Sequence, residues 1–272
     1  MNLLGALAAA LVVGQGQAVQ IEYPQEVGLA SIHMVWNDRH IPFAQSGERW
    51  FTVIGIDLNT TPGDYSGAVT FTFADGHTRT LAETVTVQSR VFPTTRLDVA
   101  PKYVDLSEVD GARAAREANE INAIYATITP EAYWMQPFQV PIPGITGGRN
   151  FGHRRMFNDQ PRAPHSGTDL KAAIGTEIQA SNRGRVVLAK NLFFSGNAVF
   201  IDHGLGVYSV YLHLSEIRVA CGDMIERGQV LGLAGATGRV TGPHLHWGVR
   251  ITDARVDPFS LPGLGSQVVS AE

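Results

Sequence analysis

The sequence predicts a mainly β protein: an N-terminal immunoglobulin-like β-sandwich, a short helical connector and a C-terminal antiparallel β-sheet domain. Three observations carry that expectation. Residues 49–56, 67–73 and 84–87 are rich in β-branched and aromatic types, and between such runs lie the turn sequences Thr61-Pro62-Gly63-Asp64 and Ala74-Asp75-Gly76-His77. Glycine recurs between Val and Leu runs through residues 222–242, the density of tight hairpins and close strand approaches in a compact sheet. One stretch, residues 106–125, is rich in Ala, Glu, Arg and Asn and reads as a helix.

The chain has 272 residues, 44% hydrophobic and 17% charged, enough to bury one large or two ordinary cores. A formal net charge of −4 gives no reason to expect nucleic acid as a partner. With Cys221 as the single cysteine, neither an intrachain disulfide nor a thiolate metal cluster is available. Residues 1–18 read as an export signal. The apolar run 3–13 is too short for a stable membrane-spanning helix, and Gly16 and Ala18 form a small-x-small cleavage pattern, although the leading residues lack Lys and Arg. Cleavage is expected after Ala18. That leaves no stable membrane span and places the mature protein in the periplasm or cell envelope.

Residues 19–100 form the sandwich. In 67–73, Val69, Phe71 and Phe73 share one face and Thr70 and Thr72 the other, as a half-buried strand requires. His33, His40 and His77 are scattered and read as surface or turn residues. This unit is expected to act as a spacer, docking module or brake. Residues 101–148 form the connector. Ser107 is the N-cap of its helix, with Ala115, Ala118, Ile121 and Ile124 or Tyr125 on the inner face. An extended segment follows, carrying Trp134, Phe138, Pro141 and Pro143. Residues 149–262 form the second domain, and 263–272 are expected to fray.

Candidate chemistry is confined to the second domain. His165 and Asp169 lie four apart, where Ser166-Gly167-Thr168 favours a turn entering a strand over a helix. Residues 207–215 alternate strictly, which predicts Val210, Leu212 and Leu214 toward the core and Ser209, Tyr211 and His213 away from it. In Pro243-His244-Leu245-His246-Trp247 the two histidines share a strand face, with Leu245 and Trp247 opposite. Of nine histidines, five fall between His165 and His246. His203 sits in a predicted hairpin turn and is given a structural role. The other four, with Asp169, make a candidate zinc site. Two imidazoles and a carboxylate leave a fourth position open, the pattern of a catalytic ion. Such an ion lowers the pKa of its water to about 7. Two further imidazoles then serve to bind that water and to stabilise or protonate what forms on a carbonyl.

His165-x-x-x-Asp169, His213 in Tyr211-Leu212-His213-Leu214-Ser215 and His244-Leu245-His246 resemble the lysostaphin/LytM-type zinc metallopeptidases of bacterial cell walls. The flanking Phe151-Gly152-His153-Arg154-Arg155, Gly167-Thr168-Asp169-Leu170, Ile201-Asp202-His203-Gly204 and Thr241-Gly242-Pro243 match as well. The resemblance covers residues 151–258. It implies a grooved sheet domain related to the barrel–sandwich hybrid, with Zn2+ on His165, Asp169 and His246 and with His213 and His244 as the catalytic histidines. It also implies endopeptidase action on peptidoglycan cross-links or stem peptides. Some members with degenerate motifs only activate other hydrolases, so a non-catalytic wall-binding activator of an amidase is the alternative; here all five positions are filled. The loop 156–162 carries Asn158 and Asp159, either of which is placed to occupy the open metal position and keep the site latent.

Overall fold

The computed structural model describes residues 11–100, 105–148, 150–263 and 267–270, the last by backbone alone. It is mainly β, with one α-helix among the described residues. The N-terminal unit holds a pair of facing sheets. The first has the strand order Leu11–Gly14, Thr78–Gln88, Gly63–Phe73, Leu29–Trp36, Arg39–Pro42; the second has Gln267–Ser270, Ala18–Pro24, Arg49–Gly55, Ala44–Ser46. Val19, Ile21, Met34, Ile54, Val69 and Phe71 fill the space between them. The edge strands Leu11–Gly14 and Gln267–Ser270 join in parallel, an arrangement foreign to a purely antiparallel sandwich. An immunoglobulin-like topology therefore stays an expectation.

Two described segments, 11–14 and 267–270, are more structured than the sequence suggests. Residues 1–10 of the expected leader lie outside the described residues. Leu11–Gly14, also inside it, pairs with Thr78–Gln88 and buries Val13 at 1% exposure. Removal after Ala18 would strip that strand from its core. Gln267–Ser270, in the segment expected to fray, pairs with Ala18–Pro24.

In the second sheet the strand Arg49–Gly55 is buried on both faces from Trp50 onward. Trp50 and Ile54 point into the N-terminal core, whereas Phe51 and Val53 join Trp134, Phe138, Trp247 and Val249 in the core of the C-terminal domain. Phe51 meets Trp134 edge-on, ring centroids 5.2 Å apart. Nearby, the Arg255 guanidinium forks onto Asp57 at 2.8 and 2.6 Å. Burial alone would raise the Asp57 pKa, but Arg255 together with the Asn59 N–H more than offsets this and holds the carboxyl below its ordinary value. The N-terminal unit is thus packed against its neighbour rather than tethered to it. Phe51→Ala is expected to cost about 3–5 kcal/mol and to lower melting of both halves together. Two separate calorimetric transitions, with one unmoved, would contradict the shared layer.

The helix spans Glu108–Tyr125, and the Ser107 hydroxyl caps it by accepting from the Asp110 N–H at 3.1 Å. Ile121, Ile124 and Tyr125 pack on Leu188, Phe200 and Tyr208 as expected. Ala115 and Ala118, expected inward, are exposed. The upper helix instead reaches the sheet through long polar side chains: Arg113 donates to Asn191 Oδ1 at 3.1 Å, and Glu117 accepts from the Phe193 N–H at 2.7 Å.

The C-terminal domain is built on an antiparallel sheet with the order Gly167–Lys171, His244–Ile251, Val207–Leu214, Gly196–Asp202, Gly184–Leu192, Met224–Ile225. Ala254–Val256 pairs onto His244–Ile251. Both faces of this sheet are covered, and that overturns the expected division of residues 207–214. Ser209 and Tyr211, expected to face away from the core, are 0% exposed, while Leu212 is only half-buried. Tyr211 and Leu214 lie in the main core, and Tyr208 and Val210 lie beneath the helix. A three-stranded sheet, Gln160–Arg162, Arg154–Phe157 and Thr94–Leu97, carries the end of the N-terminal unit to the rim of the candidate site.

Candidate metal centre

Strand register assembles the site. Asp169 lies opposite His246, and His246 opposite Leu212, while Lys171 lies opposite His244. Directly opposed residues of an antiparallel ladder point to one face. Asp169, His244 and His246 therefore share a face, with Leu245 and Trp247 fully buried behind them. Gly167 makes room: a Cβ there would sit 2.6 Å from His246 Nε2 and 2.5 Å from the Trp247 carbonyl oxygen. His165 enters from the loop just before that strand, as the turn reading expected.

His165 Nε2, Asp169 Oδ1 and His246 Nδ1 converge, with separations of 2.8 Å between the two nitrogens and 3.0 Å from each to the carboxylate oxygen. A tetrahedral ion with 2.0–2.1 Å bonds needs ligand atoms about 3.3 Å apart, so a small outward adjustment accommodates zinc. The donor set is chemically apt as well. Among the described residues, these three form the one cluster of His, Cys, Asp or Glu placed to hold an ion.

The outer atoms of His165, Asp169, His213 and His244 are occupied, which leaves their inner atoms to the site. His165 Nδ1 bonds the Asn150 carbonyl at 2.8 Å. Asp169 Oδ2 accepts from Asn150 Nδ2 at 2.9 Å and Arg155 Nη2 at 3.3 Å. His213 Nδ1 bonds the Thr237 carbonyl at 2.9 Å, and His244 Nδ1 the Gly242 carbonyl at 2.8 Å. Each of these two histidines then turns Nε2 inward, with their ring centroids 5.0 Å apart. His244 Nε2 stands 3.6 Å from Asp169 Oδ1.

Burial pushes the pKa of His165 down to about 4, against the opposing pull of Asp169. Burial, helped by the neighbouring His246 and His244, takes His213 down to about 3. For Asp169, burial raises the pKa but is overcome by the close contacts of the His165 and His246 rings, which hold the carboxyl far below its usual range. Neutral imidazoles beside an ionised carboxylate are the protonation states a divalent cation requires.

His213 reaches the site by a backbone irregularity. Asn197 pairs with Leu214 and Val199 with Tyr211, so Leu212 and His213 together oppose Ala198 in a bulge. Since Leu212 faces the same way as His246, strict alternation would send His213 to the opposite face. Instead its φ is 68°, a left-handed conformation that costs a non-glycine residue about 1–3 kcal/mol, and the ring swings to within 6.1 Å of His246.

All five residues singled out in the sequence thus meet. His203 stands apart as expected, fully buried, with its ring nitrogens bonded to the Arg183 carbonyl and the Ser209 hydroxyl, each at 2.7 Å. The latency expectation fails for Asn158. It sits at the tip of the hairpin between Arg154–Phe157 and Gln160–Arg162, and its amide is spent on both backbone groups of Val99, at 3.0 and 3.1 Å. The rim facing the open side is built by Thr95, Leu97, Val99, Phe157 and Arg239. Asn150 and Arg155, which touch Asp169, were not recognised from the sequence as members of the site. No local periodicity links Asn150 to a residue nineteen positions later.

A β-sheet domain with two histidines and a carboxylate converging beside two further inward-turned imidazoles defines a metallopeptidase-type centre. Residues 163–258 match the model of peptidase family M23. A crystal structure described as an M23 peptidase from Pseudomonas aeruginosa is 31% identical and covers 93% of this chain and 95% of its own, with a TM-score of 0.65. The chain belongs to peptidase family M23. Peptidoglycan DD-endopeptidase ShyA of Vibrio cholerae is 50% identical over 99 residues, 36% of this chain and 23% of its own length. The DD-carboxypeptidase/endopeptidase Mpg of Neisseria meningitidis is 42% identical over 97 residues, 36% of this chain and 22% of its own. The matched segment spans about a quarter of the length of these curated relatives. The family expected from the histidine motifs is the family found.

Proposed function

We propose that this protein is an exported zinc endopeptidase that hydrolyses peptide bonds in peptidoglycan cross-links or stem peptides. The observation that carries the proposal is the convergence of His165 Nε2, Asp169 Oδ1 and His246 Nδ1 within 3.0 Å of one another. When bound by these three, zinc supplies Lewis acidity toward a carbonyl oxygen and lowers the pKa of water to about 7. With Nδ1 committed to a backbone carbonyl, His213 and His244 each present an Nε2 lone pair. His244, the more exposed of the two, accepts the proton of the attacking water and returns it to the leaving amine. His213, placed by its bulge, stays neutral and orients that water by accepting a hydrogen bond at Nε2. No glutamate takes the base role. The similarity to ShyA, a peptidoglycan DD-endopeptidase, and to Mpg, a DD-carboxypeptidase/endopeptidase, supports peptidoglycan as substrate and D,D-bonds as the linkage.

Purified peptidoglycan is expected to release new amino termini with the zinc-loaded protein and none after chelation, and mass spectrometry of the muropeptides identifies the bond. Stimulation of an amidase with no new amino termini would instead establish the activator reading.

A further inference from the structure

Two of the three converging groups owe their orientation to a single residue outside the set. We infer that Asn150 is a positioning residue of the metal centre: its side chain aims the Asp169 carboxylate, and its backbone carbonyl selects the tautomer of His165. The inference rests on the metallopeptidase reading above and adds a residue to it.

The carboxylate comes first. Rotation about the terminal torsion of aspartate is broad and has little intrinsic preference, so the neighbours decide where its oxygens point. Asn150 Nδ2 donates to Asp169 Oδ2 at 2.9 Å, while Asn150 Oδ1 accepts from the Asp169 backbone N–H at 2.9 Å. Both contacts demand the same amide orientation, because a flipped amide would set oxygen against carboxylate and NH2 against N–H. Asn150 therefore grips Asp169 at backbone and side chain at once, commits Oδ2 outward and leaves Oδ1 for the ion. Arg155 supports the same oxygen from a longer 3.3 Å. Without the amide, Oδ2 is free to swing inward and compete for the position a substrate must reach.

The imidazole follows from the donor inventory. A neutral ring carries one donor and one acceptor, and a carbonyl accepts only. The 2.8 Å contact from His165 Nδ1 to the Asn150 oxygen therefore puts the proton on Nδ1 and the lone pair on Nε2. The clasp is itself anchored. The Gly152 N–H donates to the His165 carbonyl at 2.8 Å, and the His165 N–H to the His153 carbonyl at 2.9 Å. Upstream, Gly148 passes so close to the Gly167–Lys171 strand that a Cβ would lie 2.1 Å from Thr168 Oγ1.

The test compares wild type with Asn150→Ala and the nearly isosteric Asn150→Leu in the full chain. Zinc affinity is measured against a chromophoric chelator, the visible d–d spectrum is recorded after cobalt(II) substitution, and melting is followed without metal. Loss of an outer partner typically costs about 10–100-fold in metal affinity. Both variants are expected to show a loss of that size and an altered cobalt spectrum, with metal-free melting close to wild type. Wild-type zinc affinity and an unchanged cobalt spectrum in both variants would overturn the inference. So would lowered melting with a wild-type spectrum in the folded fraction, which marks a structural role alone. A wild type that takes up no zinc would instead bring down the metallopeptidase reading, and this inference with it.

Discussion

Asp169→Ala is expected to yield a folded protein that retains no zinc through gel filtration and releases no new amino termini from peptidoglycan. Asp169 Oδ1 is the contact common to His165 and His246, at 3.0 Å from each. Its removal deletes the only anionic ligand and leaves two imidazoles to hold a dication. The drop in affinity should exceed the about 10–100-fold typical of losing an outer-shell partner. Because Arg155 also loses its carboxylate partner, Asp169→Asn is the companion variant, keeping size and hydrogen bonding while removing the charge. His246→Ala is expected to lose zinc in the same way, read by metal analysis of the purified protein. Full zinc occupancy in Asp169→Ala and His246→Ala would remove both residues from the ligand set.

His244→Ala separates catalysis from metal holding. Its Nε2 lies 3.6 Å from Asp169 Oδ1, outside the close triangle, and its Nδ1 is tied to Gly242. Zinc content is expected to match wild type, while turnover falls about 10²–10⁴-fold, the range for removing a general acid–base group. His213→Ala should behave alike in zinc content and turnover, with no gain in melting, because alanine is strained at a φ of 68° just as histidine is. Equal zinc loss in the His244, His246 and Asp169 variants would overturn the division of roles.

How far these expectations were legible in the chain differs from residue to residue. Asp169 was readable only from its spacing to His165 and the resemblance of the motif. His244 and His246, by contrast, were readable as a pair because a strand alternates locally and residues two apart share a face wherever the strand is placed. The helix cap at Ser107 and the turn before Gly167 were readable for the same reason: each depends on residues within one turn of chain. The inward faces of Val69 and Phe71 followed from alternation, and those of Leu245 and Trp247 did too. The errors lie where burial is set by something distant. Ser209 and Tyr211 look like a solvated face, but the sheet is covered on both sides. Ala115 and Ala118 look like an inner stripe, but the helix touches the sheet mainly through its last turn. Nor does anything local show that residues 11–14, read as part of a leader, pair with a strand about seventy residues later.

The sequence by itself determined the kinds of chemistry available: four histidines and an aspartate in a β domain, one cysteine, and a net charge of −4. It also determined the family, because those five residues keep their order and spacing. Only the tertiary structure decided which nitrogen each imidazole turns inward, that a bulge brings His213 to the site face, and that Asn150 clasps both Asp169 and His165. The physical reason is common to all three. Periodicity reports which way a residue points relative to its own strand, whereas tautomer, bulge and clasp are set by hydrogen bonds to backbone groups that only strand pairing and loop closure bring within 3 Å.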